Sequence, residues 1–290
     1  MLLLLGLIWG GSFFFARIAV QTVPPLTLVL YRVALAAFAL HLYLAARQQY
    51  LWQWRSLAGA FLVQGLLNNA IPFSLLFAGQ TVLGAGLASI LNATTPIWTI
   101  VIAAFLTTDE RASPARIVGV LLGILGTIVM IGPAAISGLG APVWAYLAII
   151  GAALSYALAA IYAKRFKGVP PTITATGQLT GSTLIMIPLV LITEGIPDIA
   201  APGMTIWACI AALSLVSTAF AYILFFSIVK MAGATNTSLV TLIVPVSAIL
   251  LGALFLGERL TPFDYGGIAL IASGLLAIDG RAFRRFTRRV

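Results

Sequence analysis

The chain has 290 residues, of which 61% are hydrophobic and only 8% charged, against roughly 45–50% apolar and about 25% charged in soluble domains. A mean hydropathy of +1.11 excludes a single water-soluble core and identifies an integral membrane protein. The net charge of +9 would suit a nucleic-acid partner, but the positions of the charges exclude one. Five of the sixteen basic residues (Arg281, Arg284, Arg285, Arg288 and Arg289) form a C-terminal tail, and most others fall in short gaps between apolar runs. That pattern is a topology signal, or a weak attraction to anionic lipid.

A bilayer core about 30 Å thick needs about 20 apolar residues per helix. Breaking the chain at its charges, prolines and polar turns predicts spans at 2–20, 26–46, 57–78, 84–106, 114–132, 143–163, 172–192, 204–228, 234–256 and 263–280. The first lacks the charged n-region and cleavage site of a signal peptide, so it reads as a span. No alternating pattern of about ten residues recurs as a membrane barrel requires, so an all-α membrane protein is expected. Cys209 stands alone, so neither a disulfide framework nor a CxxC site can form. With His41 the sole histidine, no metal-ligand set can be assembled. No GxxxxGK[ST] motif occurs. No cofactor and no catalytic residues are expected.

Ten spans put both termini on one side. The gaps after the even-numbered spans, with the tail, carry 13 of the 16 basic residues: Arg47, Arg55, Arg111, Arg116, Lys164, Arg165, Lys167, Lys230 and the five tail arginines. The positive-inside rule then places both termini in the cytoplasm, and the expected location is the bacterial cytoplasmic (inner) membrane. The stretch FLTTDERASP at 105–114 is nearly repeated as FLGERLTP at 255–262. Glu110-Arg111 aligns with Glu258-Arg259, Pro114 with Pro262, Gly119 with Gly267 and Gly126 with Gly274, while Pro96 aligns with Pro245 and Pro24-Pro25 with Pro170-Pro171. The chain therefore divides into two five-span copies, 1–136 and 137–280, followed by a basic tail at 281–290. Five is odd, so the second copy is inverted in the membrane. Inverted repeats give two related halves that can open alternately to each side.

These residues resemble the EamA-type proteins of the drug/metabolite transporter superfamily. The resemblance rests on Trp9-Gly10 with Ser12 in span 1, Pro25 and Arg32 in span 2, Asn92 to Pro96 in span 4, and the Glu-Arg motifs closed by proline in both halves. It covers essentially the whole chain. It implies a ten-helix bundle around a central cavity built mainly from spans 1, 3, 4, 6, 8 and 9, with spans 5 and 10 peripheral. It also implies export of amino acids or other small metabolites, near the bacterial amino-acid exporter branch. Ala93, Thr94 and Thr95 stand before Pro96 where the aromatic-amino-acid exporters often carry aromatic residues, which favours a small or mixed substrate.

Polar groups in the hydrocarbon core usually face the bundle interior or a watery cavity. In span 4, Asn92, Thr95 and Thr99 share one helical face with Pro96, and the proline is expected to free a carbonyl toward the cavity. Gln64, Asn68, Asn69 and Pro72 in span 3, Ser214, Ser217, Thr218 and Tyr222 in span 8, and Asn236, Ser238, Thr241 and Pro245 in span 9 are the further candidates. Ser and Thr also bond their own helix or glue two helices together, and that reading stands beside the cavity role. Trp9 and Tyr156, near mid-span in helices implied to line the cavity, are the preferred pair to stack on a substrate, with lipid-facing or interfacial packing as the alternative for each. Arg17 and Arg32 lie toward the outer ends of spans 1 and 2. Arg32 could bind a substrate carboxylate by its fork or act structurally, and a structural ion pair with Glu194, Glu258 or Asp264 is expected for Arg17. His41 is the one neutral-pH candidate for proton linkage. All seven carboxylates fall in loops or at span ends, which favours gradient-driven export over carboxylate-based proton coupling.

The resulting expectation is an exporter of amino acids or similarly small metabolites, not an enzyme, working by alternating access in membrane lipid as a monomer or homodimer. The competing readings are a nucleotide-sugar or phosphate-ester carrier, an intramembrane enzyme acting on lipid, and a non-transporting membrane protein. The first wants a cluster of cavity cations, and only Arg17 and Arg32 are available. The second wants a nucleophile with a base or paired carboxylates inside the spans.

Overall fold

Proline opens four of the ten helical rods, because its missing N–H is no loss in a first turn and its fixed φ is already helical. The computed structural model describes residues 1–106, 114–137, 141–200, 202–237 and 240–279; Glu110, Arg111, Ser238 and the tail 281–290 lie outside the described residues. The rods are α1 (Leu2–Ala19), α2 (Pro25–Ala46), α3 (Leu51–Gln80), α4 (Ala85–Leu106), α5 (Pro114–Ser137), α6 (Val143–Tyr162), α7 (Pro171–Thr193), α8 (204–237), α9 (Val240–Leu256) and α10 (Pro262–Asp279). Seven are long and apolar enough to cross a membrane, and α5, α9 and α10 contain the apolar stretches Ile117–Ile131, Ile243–Leu256 and Pro262–Ile278. No described residue lies in a strand. The largest difference from expectation is α8, which runs on past residue 228 to Thr237. The break was expected at Lys230, but a lysine followed by Met and Ala is helix-compatible and does not end a helix.

The surface is apolar. Leu3, Phe38, Leu121, Ile128, Leu184 and Leu254 are exposed, as lipid-facing side chains must be when lipid is the solvent. The buried set includes Arg32, Gln64, Asn69, Gln80, Gln178 and Thr218, so the polar chemistry sits inside.

Helix neighbours show the inverted repeat directly. α1 packs on α9 and α8, while α6, its counterpart, packs on α4 and α3. α2 packs on α8 as α7 packs on α3, and the pairs α2–α7, α4–α9 and α5–α10 each join a helix to its own counterpart. The α5–α10 contact shows the symmetry at single residues. A Cβ on Gly119 would lie 2.6 Å from the Gly274 carbonyl oxygen, and one on Gly126 would lie 2.8 Å from that of Gly267. Gly119 aligns with Gly267 and Gly126 with Gly274, so the two contacts are images of each other. Without a hydrophobic force between helices in lipid, this close backbone approach is what holds α5 to α10.

At the end of the bundle opposite the α2–α3 and α6–α7 gaps, charges are matched to helix termini. The Glu258 carboxylate accepts from the amides of Ala85 (2.7 Å) and Gly86 (3.0 Å) at the start of α4. Gly84 and Gly252 leave room for it, since a Cβ on either would come within 2.6 Å of the carboxylate. Glu194 likewise accepts from the amides of Leu26 (3.1 Å) and Thr27 (2.7 Å) and from the Thr27 hydroxyl at the start of α2. Thr261 and Asp264 cap α10 reciprocally. Arg17 does the converse, donating to the carbonyls of Gln80 and Thr81 at the end of α3. The ion pair expected for Arg17 is thus replaced: each carboxylate meets a helix N-terminus and the guanidinium meets a C-terminus, each complementing a helix dipole.

Gly126→Leu should overpack the α5–α10 seam and cost about 1–3 kcal/mol, read as a lower melting temperature in detergent, whereas Leu125→Ala on the lipid face should leave it nearly unchanged. Glu258→Ala should cost about 1–2 kcal/mol through loss of the α4 cap, with Glu258→Gln recovering part of the melting temperature.

Candidate functional site: a central cavity

Three helices depart from regular α geometry where polar side chains turn inward. In α3, Leu66–Ala70 form a π-helical turn just before Pro72, which cannot donate to the Asn68 carbonyl and crowds it. In α8, Ala212–Phe220 widen in the same way, and the Thr218 hydroxyl donates 2.8 Å to the Leu213 carbonyl five residues back. α3 and α8 are counterparts, so the widened turn occurs in both halves, and such π-bulges often mark functional sites. α4 breaks between Asn92 and Thr95, ahead of Pro96. The Asn92 carbonyl expected to face the cavity is instead satisfied within the chain, by the Thr95 hydroxyl at 2.7 Å. Thr99 bonds the Thr95 carbonyl at 2.9 Å and does not line the cavity.

Between the two halves lies a cavity of about 530 Å³, within the range of small-molecule sites. α5 and α10 do not contribute to it, and α2 and α7 join the six helices implied from the sequence. Trp9 and Ser12 face it from α1, Asn68 from α3, and Asn92, Thr95 and Pro96 from α4. Tyr156 comes from α6, Ser217, Thr218 and Tyr222 from α8, and Thr241 from α9. Several of these side chains are fixed by neighbours. The Asn68 amide donates to Gln178 Oε1 and to the Tyr222 hydroxyl, both at 3.3 Å. Ser217 donates to the Ile8 carbonyl at 3.1 Å, tying α8 to α1. Trp9 and Tyr156 both line the cavity, and Trp9 packs on Phe225, centroids 5.5 Å apart.

Two residues named from the sequence lie elsewhere. Asn69 is fully buried between α3 and α7, where its amide reaches the Ser182 hydroxyl at 3.4 Å, so it joins helices rather than lining the cavity. His41 lies in a separate groove among α2, α3 and α7 with Trp52, Trp54 and Arg55, its Nε2 3.0 Å from the Thr180 hydroxyl. The central path therefore does not pass it.

The sequence also left lining residues unnamed. Gln178 shares a face of α7 with Thr174, and both line the cavity; that polar spacing was a usable signal. Phe73, Phe77, Phe225 and Phe226 supply much of its aromatic wall. They stand in apolar runs and carry no signal distinguishing cavity from lipid. The aromatic surface missing from α4 is thus provided by α3 and α8.

Arg32 gives the cavity its charge. It is only 6% exposed, its Nε donates to the Thr218 hydroxyl at 3.0 Å, and its guanidinium carbon lies 3.9 Å from the Phe73 ring centroid, a cation–π contact. Tyr156 and Tyr222 line the same cavity. Among the described residues it has no carboxylate partner. The side-chain oxygens of Gln64 and Asn92, both cavity residues, are buried with no partner among the described residues.

The two ends of the cavity differ. Toward the Arg17 end, Gln80 donates to the Phe13 carbonyl at 2.8 Å, beneath the Arg17 and Glu258 caps. Toward the other end the lining continues through Ala163, Phe166, Val169 and Pro171 at the α6–α7 turn, among Lys164, Arg165 and Lys167.

Comparison with known proteins places this architecture. The chain is 24% identical over 270 residues to an uncharacterized transporter, YoaV, of Bacillus subtilis, covering 93% of this chain and 92% of that protein. It is 27% identical over 282 residues to a probable amino-acid metabolite efflux pump of Escherichia coli K12, covering 94% and 91%. One crystal structure shares the fold at a TM-score of 0.66 and 21% identity, covering 98% of this chain and 96% of the other. The model of the EamA-like transporter family matches residues 1–132 and again 143–278. The match falls once on each half of the bundle, and the chain belongs to the EamA-like transporter family.

Proposed function

We propose that this membrane transport protein exports amino acids or similarly small metabolites across a bacterial cytoplasmic membrane by alternating access, without catalysing a reaction. The observation that carries the reading is the cavity of about 530 Å³ between two inverted halves, capped at one end and lined through to the α6–α7 turn at the other. The halves are taken as 1–136 and 137–280. The name of the Escherichia coli relative, a probable amino-acid metabolite efflux pump, supports the same cargo class. The cavity's single guanidinium suits a nucleotide-sugar or other phosphate ester poorly, because phosphates want several cations.

Orientation follows from charge. Arg47, Arg55, Lys164, Arg165 and Lys167 mark the cytoplasmic end, so the cavity as seen is lined toward the cytoplasm and both termini lie there. Rocking of one half against the other would break the Glu258 cap on α4 and open the outer end. Among the described residues the carboxylates sit at helix ends or in loops, and His41 is off the path, which favours export driven by the substrate gradient.

In proteoliposomes, saturable counterflow of at least one amino acid is expected, insensitive to an imposed pH gradient. Asn92→Ala should lower it about tenfold, the value of one lost polar contact, while Leu125→Ala should not. Flux without saturation would show a pore instead. A C-terminal green fluorescent protein fusion should fluoresce and a C-terminal alkaline phosphatase fusion should be inactive; the reverse pattern would invert the topology.

A further inference from the structure

Arg32 is an uncompensated cation in a low-dielectric interior, where a buried charge is tolerated only if paired. The charges elsewhere in the bundle are matched: Glu194 and Glu258 to helix N-termini, and Arg17 to a C-terminus. Thr218 takes only the Nε of Arg32, and Phe73 covers one face. The outer nitrogens of the fork have no protein partner among the described residues, although Arg32 lines the cavity. A fork held in this way has one face stacked and one nitrogen fixed, and it presents its remaining donors as a bidentate site for a carboxylate.

The same cavity holds the opposite demand. Among the described residues Asn92 Oδ1 and Gln64 Oε1 are buried acceptors without donors, and the residues that line the cavity include no lysine. An acceptor left unsatisfied at such a site costs free energy that an N–H donor on a ligand would recover.

Resting on the export reading above, we propose that the cavity recognises cargo by two poles: a free carboxylate at Arg32, and N–H donors on the cargo at the unpartnered side-chain oxygens contributed by Asn92 of α4 and Gln64 of α3. The aromatic wall of the same cavity (Phe73, Tyr156, Tyr222, Phe225) takes the apolar part of the cargo. Zwitterionic metabolites satisfy both poles at once. Amides, esters and N-unsubstituted amines satisfy only one, and phosphate esters bring more charge than one guanidinium neutralises.

The test uses the unmodified chain in proteoliposomes. The amino acid giving the strongest counterflow among the twenty is compared, as competitor, with its carboxamide, which keeps the ammonium, and with its desamino acid, which keeps the carboxylate. Each analogue should compete about tenfold more weakly than the parent, the loss expected for a missing charge-assisted contact. A loss smaller than about threefold for either analogue overturns the two-pole assignment while leaving the export reading intact. Counterflow of no amino acid overturns the export reading and this assignment with it. In parallel, Arg32→Lys keeps the charge but not the fork. It should raise the half-saturating concentration of the parent about tenfold and leave that of the carboxamide unchanged, a split that a purely structural role for Arg32 would not produce.

Discussion

The interior of this protein is built around one constraint: in hydrocarbon, a charge or a backbone polar group must find its partner inside the molecule. The capped end of the bundle shows how that is met. Glu258 and Glu194 sit on the exposed amides of α4 and α2, and Arg17 sits on the carbonyls that end α3. Each contact satisfies a side-chain charge and a helix terminus together. Gln80, whose carbonyl Arg17 meets, also lines the cavity, so the capped helix ends adjoin one end of it. This is why the glycines at 84 and 252 are part of the arrangement: they admit a carboxylate where any side chain would exclude it.

Against that background Arg32 is the exception. It is buried, at 6% exposure, yet among the described residues it lacks the carboxylate or helix end that Glu194, Glu258 and Arg17 have found. Real proteins depart from internal satisfaction mainly at functional sites, and the departure here coincides with the cavity and with two acceptors that lack donors. The π-helical turns of α3 and α8 belong to the same region. They turn Asn68, Ser217 and Thr218 inward at the cost of regular hydrogen bonding, and they occur in counterpart helices, one in each half.

Symmetry divides the work among the ten helices. α5 and α10 contact through backbone and glycine, line no part of the cavity, and hold the two halves together at one side. α4 and α9 meet each other and carry the prolines Pro96 and Pro245. α1 and α6 are each packed on the α3/α4-type helices of the opposite half. The rocking motion proposed above would change those cross-half contacts, while the α5–α10 seam could persist through it.

The sequence by itself determined the membrane class, most span positions to within several residues except at the break between α8 and α9, and the inverted duplication, because each rests on composition, periodicity and repeated motifs, which are local; the family resemblance rested on short motifs in the same order. It also marked most of the polar cavity residues, since amides and hydroxyls in an apolar helix are conspicuous. Only the tertiary structure decided which conspicuous residues meet. Asn68 and Asn69 are adjacent in sequence, but one faces the cavity and the other the α3–α7 seam, and His41 lies in a lateral groove. The phenylalanines of the cavity wall were illegible for a related reason: in a chain that is apolar everywhere, a ring facing the cavity and a ring facing lipid have the same neighbours in sequence. Facing is a property of how helices pack, and it is fixed by contacts between residues more than a hundred positions apart, such as Asn68 with Gln178 and Arg32 with Thr218.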